Sequence, residues 1–162
     1  MISQYCSILA SNYGRFVIFS SPEGITRIEL SDEKLEEREN HHTSLCSSEL
    51  IDYFDGRLKD FSVSIDISKH TPFHRSVWNA LLDIPYGKTC SYMDVARKIN
   101  NEKAIRAVGR ANGANPIPFI IPCHRVIGSD GSLTGYASGL EMKRKLLSME
   151  NPINFALQHR LF

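Results

Sequence analysis

The chain has 162 residues, 42% of them hydrophobic, with 19 Lys/Arg against 18 Asp/Glu for a formal net charge of +1. That is enough apolar material for one domain or two small ones, and no apolar run approaches the length a bilayer-spanning helix needs, which argues against a membrane protein. The four cysteines, Cys6, Cys46, Cys90 and Cys123, lie far apart without a CxxC pair or an apolar leader, a pattern that predicts a cytoplasmic protein (nuclear in a eukaryote) with reduced thiols rather than a disulfide scaffold.

The near-zero net charge hides an asymmetry: residues 1–70 carry a balance of −5 and residues 71–162 a balance of +6. The basic part is where a polyanion would bind, although opposite charges on two halves can also serve solubility alone. The acidic part begins with "YCSILAS", "GRFVIFS" and "GITRIEL", short alternating runs separated by Asn-Tyr-Gly and Ser-Pro-Glu-Gly. They predict a small antiparallel meander. "DEKLEEREN" reads as a charged helix or linker. In "CSSELIDYFDGRL", Leu50, Tyr53, Phe54 and Leu58 have helical spacing, and in "FSVSIDIS" Phe61, Val63, Ile65 and Ile67 fall on one strand face. His41, His42 and Cys46 lack a well-spaced fourth ligand, so they read as surface residues and no metal is expected.

The basic part reads as helices. Thr71-Pro72 is a cap and first-turn pair, and Phe73, Val77, Leu81 and Ile84 form a stripe that stops at Pro85-Tyr86-Gly87. Ser91 and Asp94 open a second helix that ends at Asn100-Asn101, and "EKAIRAVGRANG" follows as a third. Two short helices joined by a tight polar turn suggest a helix-turn-helix. Ala104, Ala107, Gly109 and Ala111 in its second helix are small, whereas a helix that reads the major groove presents long polar side chains. Small residues with one long cation, Arg106, suit a minor groove; a helix packed inside the protein, with Arg106 on its outer face, would share that spacing.

The chemistry concentrates in "FIIPCHRVIG", where an apolar run that reads as a buried strand leads into Cys123, His124 and Arg125. Cationic or hydrogen-bonding neighbours would lower the thiol pKa. Adjacent side chains of an extended segment face opposite ways, so His124 reaches the sulfur only if the backbone turns there or a water relays the proton. The imidazole also needs a partner to fix its tautomer, and Glu150, at the end of "GLEMKRKLLSMEN", is a candidate. A buried structural thiol is the competing reading of Cys123.

"NPIPFIIPCHRVIGSDGSLTGYASGLEMKRKLLSMEN", with "VWNALLDIPYGKTCSYMDVA" and "AIRAVGRANGANP", resembles the O6-alkylguanine-DNA alkyltransferases over roughly residues 71 to 150. The resemblance implies an α+β protein: a structural α/β domain over 1–70 with a small antiparallel sheet, then a mostly helical domain over 71–162 that contains the helix-turn-helix, binds DNA and accepts the alkyl group. It implies that Cys123 takes a methyl or other small alkyl group irreversibly from O6-alkylguanine, with O4-alkylthymine left open as a second substrate, in double-stranded DNA approached through the minor groove. His124 would take the thiol proton through a water, Glu150 would orient His124, Tyr92 would hydrogen-bond the flipped guanine, and Asn115 would tie the helix-turn-helix to the active-site segment. Arg106 would fill the stack, with Ser91, Ala104, Ala107, Gly109 and Arg125 also on the DNA side; Tyr136 and the backbone around Val126, Ala137 and Ser138 would wall the base pocket. A monomer without cofactor is implied.

The family usually has Gly-Tyr-x-Gly-Gly-Leu, and here Ser138 stands at the first of the paired glycines. Ser138 to Glu141 matches a capping box for the helix that follows. Two other readings use the same residues. A cysteine hydrolase would need an oxyanion hole and turn over repeatedly, and a non-catalytic lesion-binding module would not need Cys123.

Overall fold

A computed structural model describes residues 4–155. The chain divides into two compact units, Met1–Lys69 and His70–Phe162.

In the first unit β1 (Tyr5–Ser11), β2 (Gly14–Ser20) and β3 (Ile25–Leu30) form an antiparallel meander, β1 pairing from Tyr5↔Ser20 to Ser11↔Gly14. Gly14 closes the β1–β2 turn at φ 128°, a value that L side chains rarely adopt. Helix α1 (His41–Phe54) starts from a capping box: the Asn40 side chain accepts from Thr43 N and the Thr43 hydroxyl from Asn40 N. Its Cys46, Leu50, Tyr53 and Phe54 are buried, and Phe54 stacks on Phe16 of β2 at 5.8 Å.

Several sequence expectations change in this unit, beginning with Cys46, which reads as a surface residue and is fully buried. The acidic stretch before α1 is linker rather than helix, and Arg38 in it exchanges backbone hydrogen bonds with Cys6 of 2.9 and 3.0 Å. Leu58 lies beyond the end of α1. Residues 61–67 form no regular strand and make only an isolated bridge, Ile25↔Ile65. The buried Glu49 carboxylate accepts from the backbone N–H of both Ser62 and Val63, donors that a ladder would otherwise need.

The second unit opens with α2 (Pro72–Leu82), whose cap Thr71 accepts from His74 N. Val77, Trp78 and Leu81 are fully buried. A turn through Gly87, at φ 77°, leads to the two-residue β4 (Cys90–Ser91) and then α3 (Tyr92–Lys98), where Ser91 and Asp94 make the capping box. Asn100, at φ 56°, turns the chain into a short 3-10 segment, Glu102–Ala104, and α4 (Ile105–Gly113) follows. Asn tolerates this left-handed conformation better than most residues. The Trp78 indole N–H donates to Ala111 O at 2.8 Å and so fastens α4 to α2.

The run expected as a buried strand is a set of turns instead. Pro116 and Pro118 before it and Pro122 within it lack backbone donors, Phe119 sits at φ 73°, and Cys123–Arg125 is a 3-10 turn. Only β5 (Val126–Ile127) is strand, parallel to β4 with Cys90↔Val126 and Ser91↔Ile127. Helix α5 (Leu140–Glu150) has Gly139 as its cap at φ 95° and no side-chain cap bond. Ser138 is exposed and caps nothing: the helix starts one residue later than the capping box required, on a backbone conformation that favours glycine. Among the described residues no helix is long and apolar enough to cross a membrane.

Candidate active site and nucleic-acid interface

Cys123 and His124 are held by a turn, which puts two adjacent side chains in one buried locality. The Asn115 amide donates to Ile121 O at 2.7 Å and its carbonyl accepts from Ile117 N at 2.9 Å, so one side chain pins both ends of the proline-rich turn. Burial pushes the Cys123 thiol above its ordinary value, and the Asn115 hydrogen bond, the Lys143 charge and the local backbone N–H groups offset this only in part. The sequence suggested a lowered thiol pKa; desolvation outweighs the donors, and the resting sulfur is protonated.

His124 Nε2 lies 2.7 Å from Glu150 Oε2, with both side chains fully buried. Burial lowers the His124 pKa more than Glu150 raises it, so the imidazole is neutral near pH 7. A neutral ring beside a carboxylate carries its proton on Nε2 and leaves the basic lone pair on Nδ1. Burial alone would raise the Glu150 pKa, but hydrogen bonds and charge from His124 and Arg125 bring it down to about 2. The result is a protonated thiol, a neutral base and a permanent carboxylate behind that base.

Arg125 makes up the rest of this cluster. Its Nε and Nη2 donate to Glu150 Oε1 and Oε2 at 2.9 and 3.0 Å, and Nη1 donates to Ile84 O at 2.7 Å. The side chain is buried, so it is not on a DNA-facing surface as expected from sequence. A buried carboxylate facing a buried imidazole requires a fixed counter-charge, and the adjacent guanidinium supplies it bidentately. Gly87 N also donates to Glu150 Oε1, at 3.2 Å.

Around this cluster, Val126 is buried and Tyr136 half-buried, while Ala137 and Ser138 are exposed. The Tyr136 hydroxyl is buried with no hydrogen-bond partner among the described residues, and burial followed by the nearby Cys123 and Glu150 charges raises its pKa. The Tyr92 hydroxyl sits 3.0 Å from Thr134 Oγ1. Lys143 was not singled out from sequence. It is fully buried, and its ammonium donates to Val126 O and Thr134 O, each at 2.7 Å, which ties the segment after β5 back to that strand. Burial lowers its pKa to about 8 although Cys123 pulls it upward. The spacing of Lys143, Leu146, Leu147 and Glu150 on α5 does carry the signal, because it is the spacing of one helix face.

On α4, Val108, Ala111 and Asn112 are buried, whereas Arg106 and Arg110 are exposed. Ala104, in the 3-10 turn, Ala107 and Gly109 are half-buried, and a Cβ on Gly109 would meet nothing within 4 Å. Gly109 therefore borders open space, whereas Ala111 belongs to the packed interior. Ser91 is spent on capping α3. Arg110, one helical turn beyond Arg106, is a second exposed cation that the sequence reading passed over. Asn112 reaches from the inner side of α4 to Cys123 O at 3.4 Å, a long contact that links the helix to the cysteine turn. Among the described residues no group of three or more His, Cys, Asp and Glu could hold a metal ion.

The geometry defines a helix-turn-helix unit with a cysteine, backed by histidine and glutamate, behind its second helix. Two family models match the chain: 6-O-methylguanine DNA methyltransferase, DNA binding domain, over residues 72–152, and 6-O-methylguanine DNA methyltransferase, ribonuclease-like domain, over residues 4–67. A methylated-DNA–protein-cysteine methyltransferase of Methanosarcina acetivorans is 44% identical over 155 residues, covering 90% of this chain and 97% of its own. The constitutive Bacillus subtilis protein of the same name is 40% identical over 157 residues, covering 90% and 94%. A crystal structure of Mycobacterium tuberculosis OGT in complex with DNA superposes with a TM-score of 0.81 at 39% identity, covering 90% of this chain and 91% of that one. The chain belongs to the 6-O-methylguanine DNA methyltransferase family.

Proposed function

We propose that the protein repairs DNA by direct reversal, moving a methyl or other small alkyl group from the O6 atom of guanine to Sγ of its own Cys123. The observation that carries this reading is the buried run Cys123–His124 with His124 Nε2 on Glu150 at 2.7 Å, in a chain of this family. The sulfur attacks the alkyl carbon in line; an S–C bond forms, the C–O bond breaks, and guanine leaves with the electron pair. The thiol proton passes to His124, whose cationic form is then stabilised by Glu150. Tyr92 exchanges its Thr134 contact for the departing guanine and hydrogen-bonds the developing anion. The thioether is not readily hydrolysed, so each molecule reacts once.

The base has to leave the duplex to meet a buried sulfur, at a cost of a few kcal/mol. Arg106 fills the gap in the stack, the small face of α4 approaches the minor groove, and the protein acts as a monomer. The test is to incubate the protein with a duplex carrying O6-methylguanine and map the product by mass spectrometry: one methyl on the peptide containing Cys123 supports the reading. Methyl on another residue, or guanine repaired with the protein unmodified, would contradict it.

A further inference from the structure

A cavity of about 210 Å³ opens between α2 and α3, apart from the cysteine site. Ala80, Ile84, Pro85 and Val95 give it an apolar lining, and Lys88 and Cys90 also border it. Its volume is below that of usual ligand sites and suits a compact molecule. The charges around it are unequally committed. Asp83 is paired with Lys98 at 3.0 Å, and Asp94 accepts from Ser91 N at 2.8 Å in the α3 cap. Lys88 makes no ion pair among the described residues and is exposed beside the cavity. Cys90 is half-buried, and burial, with Asp94, pushes its thiol up to about 11, so it lines the cavity as a weakly polar wall rather than as a nucleophile.

We propose that this cavity is a second ligand site, for a compact apolar carboxylate whose hydrocarbon lies on Ile84, Pro85 and Val95 and whose anionic end meets Lys88. The wall of the cavity also supports the buried cluster. Ile84 O holds Arg125, and Gly87, between Pro85 and Lys88, donates to Glu150. Cys90 pairs with Val126, one residue after Arg125. A molecule seated here braces the segment that supports Glu150.

The test uses benzoate, titrated into the full isotope-labelled chain and followed by amide chemical shifts. Saturable shifts at Ile84, Cys90 and Val95, about tenfold weaker binding in Lys88→Gln, and weaker binding of benzylamine, which reverses the charge, are the expected results. Lys88 is exposed, so Lys88→Gln leaves the fold intact. The proposal is overturned by the absence of saturable shifts, by shifts confined to residues 123–138, by equal affinity in Lys88→Gln, or by benzylamine binding as well as benzoate. Each readout is independent of alkyl transfer, so it succeeds or fails apart from the proposed repair activity.

Discussion

Replacing Arg125 with methionine distinguishes a buried clamp from a DNA contact. The change keeps an apolar stem but deletes the guanidinium that bonds both Glu150 oxygens and Ile84 O. Removing one partner of a buried ion pair costs about 3–5 kcal/mol, because the other charge is left uncompensated. Glu150 keeps only His124 and Gly87 as partners among the contacts described above. With roughly 2–4 °C of melting temperature per kcal/mol for a chain of this size, Arg125→Met should melt about 6–20 °C below the parent at pH 7 by circular dichroism. With less positive charge nearby, the Glu150 pKa rises from about 2. A depressed carboxylate contributes stability that is complete above its unfolded value and is lost as pH falls towards the folded one. The parent should therefore lose this contribution progressively between about pH 4.5 and 2, and the variant, whose folded value lies nearer the unfolded one, should have a smaller contribution that is exhausted at higher pH. The salt dependence of DNA binding should be unchanged, since a buried group releases no counterions from DNA. An unchanged melting temperature together with a shallower salt slope would refute the buried assignment and restore Arg125 to the DNA surface.

The pH profile of alkyl transfer follows from the neutral resting pair: the rate should hold below pH 6.5, falling only once His124 is protonated, and should show no rise at the ordinary thiol value of 9.0, because both groups are shifted outward by burial. Stability has the same sign at the acid end, since the unfolded chain takes up a proton on His124 below about 6.5 and the folded one does not; thermal melts across this range check it. Arg106→Ala should slow repair of duplex DNA by about tenfold or more while leaving reaction with the free modified base nearly unaltered; equal losses in single-turnover assays on both substrates would make Arg106 a structural residue. Ser138→Ala should leave the melting temperature within about 2 °C, because no cap bond is lost, and a drop near that of a lost N-cap, about 1 kcal/mol or more, would show otherwise.

Where the sequence was legible, local chemistry decided the structure. Thr71-Pro72 and the Ser91/Asp94 pair start α2 and α3 where their hydrogen bonds require, and the Asn-Tyr-Gly turn sets the first hairpin. Legibility failed where a nonlocal or backbone term prevailed. The run at 119–121 is apolar enough for a strand, yet three flanking prolines and the Asn115 clamp fold it into turns. Glu49 captured the donors of residues 62 and 63, and the bonds of a glutamate thirteen residues upstream cannot be read from local alternation. Ser138 mimicked a cap because the pattern does not encode the positive φ of Gly139. At the site, the motif residues Cys123, His124 and Glu150 were evident, but the 3-10 turn that carries Cys123 and His124 was not suggested by periodicity. Arg125 and Lys143 look like surface cations in sequence; only the fold reveals that one neutralises Glu150 and the other ties down the segment after β5.

Stoichiometry tests the central claim most directly. Intact mass spectrometry of the protein after exposure to a large excess of O6-methylguanine duplex should show one methyl group per chain and no more, however long the incubation. Cys123→Ser should bind the same DNA and gain none, since an alcohol is almost wholly protonated at neutral pH. Transfer beyond one equivalent, or methylation that survives in Cys123→Ser, would contradict the assignment of Cys123 as the acceptor.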